Sequence, residues 1–284
     1  MKLITWNVQW CRGVDLVVDP SRVVAHARRL ADFDVLCLQE IADNYPDPLL
    51  GGSAGEDQFA LLASLLPGYT AIPGVAVDHP APAGRRRRFG NMILSRLPVL
   101  QTFRHLLPYP ADQDVPGMPR IAVEAVVEAS FGPVRIVTTH LEYYSLRKRA
   151  AQVEALRAIY AEGSAYARDP RNTAADGPYQ TLARPAATII TGDFNLEPED
   201  PLHARMCAPF ADATPPLVDA WEHAHPGAPH PPTMCIFQKV NPDDPLLHCD
   251  FIFLSPEVQR RVVAVEVDVH TQVSDHQPVI LTLE

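Results

Sequence analysis

The segment Ala186-Ala187-Thr188-Ile189-Ile190-Thr191-Gly192-Asp193-Phe194-Asn195 joins a short apolar run to a turn carrying a carboxylate and an amide. Residues 186–191 are too few for an amphipathic helix and suit a buried strand, where branched side chains pack well on a pleated surface. Gly192 ends the run, and the polar residues follow where the chain leaves the sheet. The same pattern recurs through the 284 residues. Residues 2–6 end in Asn7, 34–39 in Glu40 and 133–139 in His140. Asp250 opens the run 250–254, and Asp275-His276 stands just before the run 278–283. Strands are also predicted at 89–95, 99–107, 120–128 and 262–269. Helices are predicted at 21–31, 57–66 and 146–168, with Ser21, Asp57 and Ser145 as their caps. Many strands interleaved with few helices predict a sheet-on-sheet core with helices outside.

Composition narrows the class. An apolar fraction of 47% with 20% charged residues is that of a soluble globular chain, not a disordered one. No apolar run approaches the ~18 residues of a membrane span. Met1-Lys2 leads directly into Leu3-Ile4-Thr5-Trp6-Asn7 without the apolar core of a secretory leader, so a cytoplasmic setting is expected. The five cysteines form no Cys-x-x-Cys pair, and Cys37 lies inside an apolar run as a small core residue. The 29 prolines cluster at 108–119, 170–185 and 198–245, which read as long ordered loops. Residues 51–55 and 163–185 are the expected mobile segments, and one domain over 1–284 is expected. Net charge is −10, but it is uneven. Residues 81–160 hold 12 basic and 6 acidic residues, whereas residues 193–284 hold 4 and 15. A basic island between acidic flanks leaves an anionic substrate open.

A lone Asn or Asp at a strand end is usually a turn former, and a lone His is usually structural. Those readings do not account for the carboxylates, two Asn and two His gathered at strand ends, which one rim of packed sheets can bring together. Carboxylate and amide oxygens without a Cys or His cage suit a hard cation such as Mg²⁺, with Mn²⁺ a possible substitute. Histidines beside carboxylates can neutralise a phosphoryl oxygen or protonate a leaving group. Together they predict metal-assisted hydrolysis of a phosphate ester.

The ordered set Thr5-Trp6-Asn7, Leu38-Gln39-Glu40, Gly90-Asn91-Met92-Ile93-Leu94-Ser95, Thr139-His140-Leu141-Glu142, Gly192-Asp193-Phe194-Asn195, Asp250-Phe251-Ile252-Phe253 and Ser274-Asp275-His276 resembles the endonuclease/exonuclease/phosphatase superfamily. The resemblance covers nearly the whole chain. It implies an α/β (α+β) four-layer sandwich, with two packed, mixed to mainly antiparallel β-sheets flanked by helices. It also implies that Glu40 is the principal Mg²⁺ ligand, with Asn7 and Asp275 supplying further oxygens. Asp193 would activate the attacking water and Asn195 would hold the scissile phosphate. His276 would contact a phosphoryl oxygen, oriented by Asp250, and His140 would be a second phosphate contact or the acid for the leaving group. Thr139-His140-Leu141 is similar to the deoxyribonuclease I, sphingomyelinase and tyrosyl-DNA phosphodiesterase branches. Asn7-Val8-Gln9-Trp10 departs from the abasic-site endonucleases, and His248-Cys249 stands where relatives often carry an Arg before the His-orienting Asp.

Weaker features could tune the substrate. Arg85–Arg88 reads as a solvated loop or, through Arg88, as a phosphate clamp. Asn91 reads as a site residue or a turn, and Tyr143 as rim packing or a stacking surface. Arg147, Lys148 and Arg149 follow His140 closely enough to reach substrate, or Arg149 and Gln152 brace the helix start. The expected partner is a phosphoester, a short nucleic-acid end or small phosphodiester, with no membrane span and no protein partner evident. The alternative is an inactive phosphate- or nucleic-acid-binding module on the same fold, which an intact residue set disfavours.

Overall fold

The computed structural model describes residues 1–170, 177–180, 182–238, 243 and 245–284, which form twelve strands and six α-helices. The first part of the chain builds β1 (Lys2–Asn7), α1 (Pro20–Leu30), β2 (Val35–Asp43), α2 (Gln58–Leu65), β3 (Thr70–Pro80) and β4 (Arg86–Ser95). The middle adds β5 (Val99–Leu106), β6 (Ile121–Ala129), β7 (Gly132–His140), α3 (Leu146–Arg168) and β8 (Thr188–Asp193). Then follow α4 (Pro201–Cys207), β9 (Val218–Asp219), α5 (Ala220–Ala224), β10 (Asp250–Leu254), α6 (Pro256–Gln259), β11 (Val262–Val267) and β12 (Val279–Leu283).

Two six-stranded sheets result, with orders β11-β12-β1-β2-β4-β3 and β5-β6-β7-β8-β10-β9. Both are mixed: β1 pairs parallel with β2 and β7 parallel with β8, while the other neighbours are antiparallel. A parallel pair needs a crossover, and α1 and α3 supply it. The expected sandwich of two packed sheets with helices outside is therefore the observed one.

Alternation along each strand sorts the apolar residues into layers. Leu3, Val35, Cys37, Val134, Ile136, Ile189, Ile252 and Leu254 face the opposite sheet and form the central core. Ile4, Trp6, Leu36 and Leu38 point the other way, toward α1 and α2. Val137, Ile190, Phe251 and Phe253 likewise pack with Val153, Leu156 and Tyr160 of α3.

The helices and strands differ from expectation in instructive places. Asp19, not Ser21, caps α1, because its carboxylate accepts from the N–H groups of Ser21 and Arg22. Asp57 and Ser145 cap α2 and α3 as expected. Strand β3 was not anticipated, since Pro73, Gly74 and Pro80 break its apolar pattern. Its presence changes the Arg run: Arg86–Arg88 are not a solvated loop but the start of β4, paired in register with Asp78, His79 and Pro80. Residues 163–168 of one expected mobile stretch lie inside α3, and 171–176 and 181 fall outside the described residues. Loop 51–55 is tied down, with Ser53 buried and Asp47 accepting from the Gly52 N–H. The proline-rich stretch 198–245 contains α4, β9 and α5.

Between β6, β7 and α3 lies a fully buried ion pair, Arg135 with Glu124 at 2.8 Å. Arg184 at 3.4 Å adds a second positive partner for Glu124, and His105 a hydrogen bond at 3.0 Å. Burial alone would raise the Glu124 pKa, but these partners outweigh it and hold the group down to about 2. Arg135 also donates to the Ile159 carbonyl of α3, and the helix makes room for it at Gly163. A Cβ at Gly163 would lie 1.7 Å from Arg135 Nη1. Replacing glycine by alanine inside a helix ordinarily stabilises by about 0.5–1 kcal/mol. Here the sign reverses: Gly163→Ala lowers the urea midpoint, at a cost of about 1–3 kcal/mol from overpacking around a pinned guanidinium. A midpoint equal to or above that of the parent would refute this account of the helix–sheet contact.

Candidate active site

The inward-facing residues of the central strands continue past the apolar core and become polar at one rim. On β1 the face reads Leu3, Thr5, Asn7; on β7 it reads Val134, Ile136, Thr138, His140. On β8 it reads Ile189, Thr191, Asp193, and on β10, running backwards, Leu254, Ile252, Asp250. Parallel β7 and β8 bring His140 opposite Asp193, and antiparallel β10 brings Asp250 opposite Asp193. Gly192 is required here: its φ is +140°, and a Cβ would lie 1.9 Å from the Thr139 carbonyl oxygen.

Glu40 reaches the same rim by a different device. Strict alternation would turn it toward the helices with Leu36 and Leu38. A bulge between Leu38 and Ile41 shifts the register against β4, and Glu40 adopts a φ of +62°. The shift shows in the core, because Ile41 joins the helix-side cluster that Leu36 and Leu38 line. A left-handed φ at a residue with a Cβ is strained, and such strain concentrates at functional positions. Three further left-handed residues, Gln9, Trp10 and Cys11, form the turn that follows β1.

The rim is a hydrogen-bonded constellation. Asn7 Nδ2 donates to Glu40 Oε1 at 3.1 Å and to Asp193 Oδ2 at 2.9 Å, joining the two sheets. Its Oδ1 accepts from the Gln9 N–H. Asp193 Oδ1 accepts from the Asn195 N–H, while Asn195 Nδ2 donates to the Leu141 carbonyl. His276 Nδ1 lies 2.9 Å from Asp250 Oδ2, and its Nε2 lies 3.7 Å from Asp193 Oδ2. His140 Nε2 lies 3.4 Å from Asp193 Oδ2, and its Nδ1 lies 3.9 Å from Glu40 Oε1. Asp275 is held by Gln9 Nε2 at 2.6 Å and by Ser274 Oγ.

The electrostatics separate the two histidines. Burial, the Arg120 guanidinium and His276 all push His140 well below its usual value, so it is neutral. Burial also opposes a charge on His276, but the carboxylates of Asp250 and Asp193 outweigh it and hold the ring protonated. Burial raises Asp193 to about 6, with His276 opposing and Asp250 adding to the rise. Burial and the nearby Asp275 raise Glu40 to about 7. Glu40 and Asp275 are mutually repelling carboxylates beside the Asn7 amide, a repulsion that a hard divalent cation would relieve.

The weaker candidates fall around this centre. Asn91 lies opposite the Glu40 bulge, buried, donating to the Ile121 carbonyl. Arg88 stands 3.5 Å from Asp43, half-exposed, beyond the bulge. Tyr143 is exposed just past His140 and packs edge-on against Tyr144. Arg149 donates to the Glu142 and Tyr143 carbonyls and Gln152 to that of Pro108, so both brace the start of α3.

Arg120 escaped the sequence reading. It is 6% exposed, its Nε and Nη1 have no hydrogen-bond partner, and Glu142 is 3.9 Å away. Burial holds its pKa below the usual value, with Glu142, Glu40 and Asp193 opposing the drop. The signal was a charged residue opening an apolar run. Because β6 is antiparallel to β7, the residue before β6 lies at the rim where β7 ends.

The endonuclease/exonuclease/phosphatase family model matches residues 4–276. The chain belongs to this family. No match was found among curated proteins. Solved structures with the same fold include the endonuclease/exonuclease/phosphatase from Bacteroides vulgatus, at 20% identity and TM-score 0.68, covering 100% of this chain and 98% of that one. TDP2 from D. rerio, complexed with a single-strand DNA product, is 19% identical with TM-score 0.65, covering 100% and 98%. A family protein from Beutenbergia cavernae DSM 12333 is 24% identical with TM-score 0.63, covering 99% of this chain and 70% of that one. None of the described helices is long and apolar enough to cross a membrane.

The raised Glu40 value carries a stability consequence. Its folded value, about 7, lies above the ordinary 4.5, so the folded state binds the proton more tightly than the unfolded chain. With respect to this group the fold is most stable below 4.5 and loses stability as pH rises toward about 7. In chelator-treated protein at about pH 8, Glu40→Gln is expected to stabilise by about 2 kcal/mol, discounted for partial solvent screening. At about pH 4 the two proteins should unfold alike. Equal denaturant midpoints at both pH values would show that Glu40 carries no such penalty.

Proposed function

We propose that this protein is a divalent-metal-dependent phosphoester hydrolase, carried by one domain over 1–284, acting by in-line attack of water. The observation that carries the reading is one rim holding a protonated His276 between two carboxylates, a neutral His140, and Arg120 buried without a hydrogen-bond partner on Nε or Nη1. Membership of the family supports the reaction class.

Glu40 and Asp275, with the Asn7 amide beside them, fit a Mg²⁺ ion, and Mn²⁺ could substitute. Bound there, the ion would supply Lewis-acid stabilisation of the charge that builds on the phosphoryl oxygens. The residues do the rest. Asn7 and the Asn195 N–H fix both oxygens of Asp193, and a value near 6 lets its carboxylate accept a proton from water at neutral pH. The Asp250 carboxylate orients His276 and keeps it charged, so its Nε2–H can donate to a phosphoryl oxygen or leaving group. His140, being neutral, offers a hydrogen bond without adding charge. Arg120 grips a non-bridging oxygen, because no hydrogen-bonded carboxylate neutralises it. Asn195 lines the scissile phosphate.

A short nucleic-acid end or small phosphodiester is the proposed substrate. The exposed Tyr143–Tyr144 pair beside His140 offers a stacking surface for a base. The DNA product held by D. rerio TDP2 in the same fold lends support. Activity should vanish in EDTA and return with Mg²⁺ or Mn²⁺. Asp193→Asn and His276→Ala should each lower kcat by roughly 10²–10⁴-fold. Arg120→Ala should cost kcat/KM about 10²–10³-fold. The assay is a panel of single-stranded and duplex DNA, RNA, a 5′-tyrosyl adduct, sphingomyelin and inositol phosphates. Folded Asp193→Asn and His276→Ala proteins that retain parental turnover would overturn the mechanism.

A further inference from the structure

A second cluster lies behind the second sheet, away from the rim. His203 of α4, Asp219 at the end of β9 and His230 in the following loop converge there. His203 Nε2 lies 2.9 Å and His230 Nε2 3.2 Å from the same oxygen, Asp219 Oδ2. The three ligand atoms lie within 4.8 Å of one another. His203 and Asp219 are buried, and the His230 side chain is 11% exposed. None of the three takes part in the chemistry proposed above.

The geometry points to a zinc-class divalent ion, and we propose that His203, Asp219 and His230 bind it. Zinc–ligand bonds of about 2.0–2.1 Å in a tetrahedral shell separate neighbouring ligand atoms by about 3.3 Å. The two observed N···O distances differ from that by a few tenths of an ångström. The carboxylate is already oriented, because Asp219 Oδ1 accepts from the Trp221 and Glu222 N–H groups and leaves Oδ2 to the imidazoles. His203 packs against the rings of Phe251 and Phe253, which give the cluster an apolar wall. Access exists on the other side, where a cleft lined by Glu197, Glu199, Glu222 and His230 reaches the cluster and attracts cations. Two imidazole nitrogens and one carboxylate oxygen favour Zn²⁺ over Mg²⁺, so this site and the Glu40 centre prefer different ions.

The ion would fasten the loop that supports the catalytic rim. Three residues after His230, Thr233 Oγ1 accepts from the N–H groups of Cys249 and Asp250, and Met234 bridges to His276. The competing account is a hydrogen-bonded trio in which both rings donate to Asp219 and no metal enters.

Zinc uptake separates the two. The full chain, stripped with chelator and held in millimolar Mg²⁺ to load the Glu40 centre, is dialysed against micromolar Zn²⁺ and its metal content measured. The parent and Glu40→Gln should each retain a single zinc ion, and His230→Gln should lose it. Co²⁺ in the parent should give the intense visible bands of a tetrahedral site, which needs no variant to fold. Zinc content no higher in the parent than in His230→Gln, uptake abolished by Glu40→Gln, or weak octahedral Co²⁺ bands would each overturn the proposal.

Discussion

The Asn7 amide group holds the centre of this molecule together. One neutral nitrogen donates to Glu40 of the first sheet and Asp193 of the second. Two carboxylates that close would otherwise repel, and burial raises the proton affinity of both. The repulsion is tolerated because the sheets are fixed by something stronger. The apolar face between them, from Leu3 and Val35 to Ile136 and Ile252, excludes water and sets their separation. The polar rim is the last layer of that face, so core packing and the chemistry of the site share one set of strands.

The fold repeats one solution twice. Each sheet has a parallel pair near its middle, joined by a helix, and carries site residues at the carboxyl ends of that pair. Asn7 and Glu40 come from one pair, His140 and Asp193 from the other. Antiparallel neighbours then deliver residues at their starts: Asp250 opens β10, and Arg120 precedes β6. Topology thus decides which end of a strand is chemically useful.

That rule explains what could be read from the residues alone. Runs followed by Asn7, Glu40, His140 and Asp193 were visible because the polar residue interrupts an apolar pattern. Asp250 was visible for the same reason, and its carboxylate lies 2.9 Å from His276 Nδ1 with His248-Cys249 preceding it. Arg120 was not, since strand direction is a tertiary property and a basic residue before a strand is ordinary. Gln9 had no signal at all: a left-handed turn without glycine leaves no trace in composition, yet it carries the amide that holds Asp275. Strand β3 was hidden by its prolines, and with it the pairing that draws Arg86–Arg88 into β4. The bulge at Glu40 was hidden too, because the residue type that needs it says nothing about φ.

The net charge of −10 can now be placed. Around the rim the carboxylates are partly offset from within, by a protonated His276 and by Arg120. Both cations are buried, so bulk salt screens them weakly, whereas the surface acidity is screened within about 10 Å at ordinary ionic strength. Under the proposed function, an anionic substrate would meet repulsion at a distance and attraction on contact. That balance would penalise tight binding along a long polyanion and favour a ligand small enough to bring one phosphate to the rim. On that reading, discrimination lies in the depth of two positive charges, not in the sign of the whole molecule.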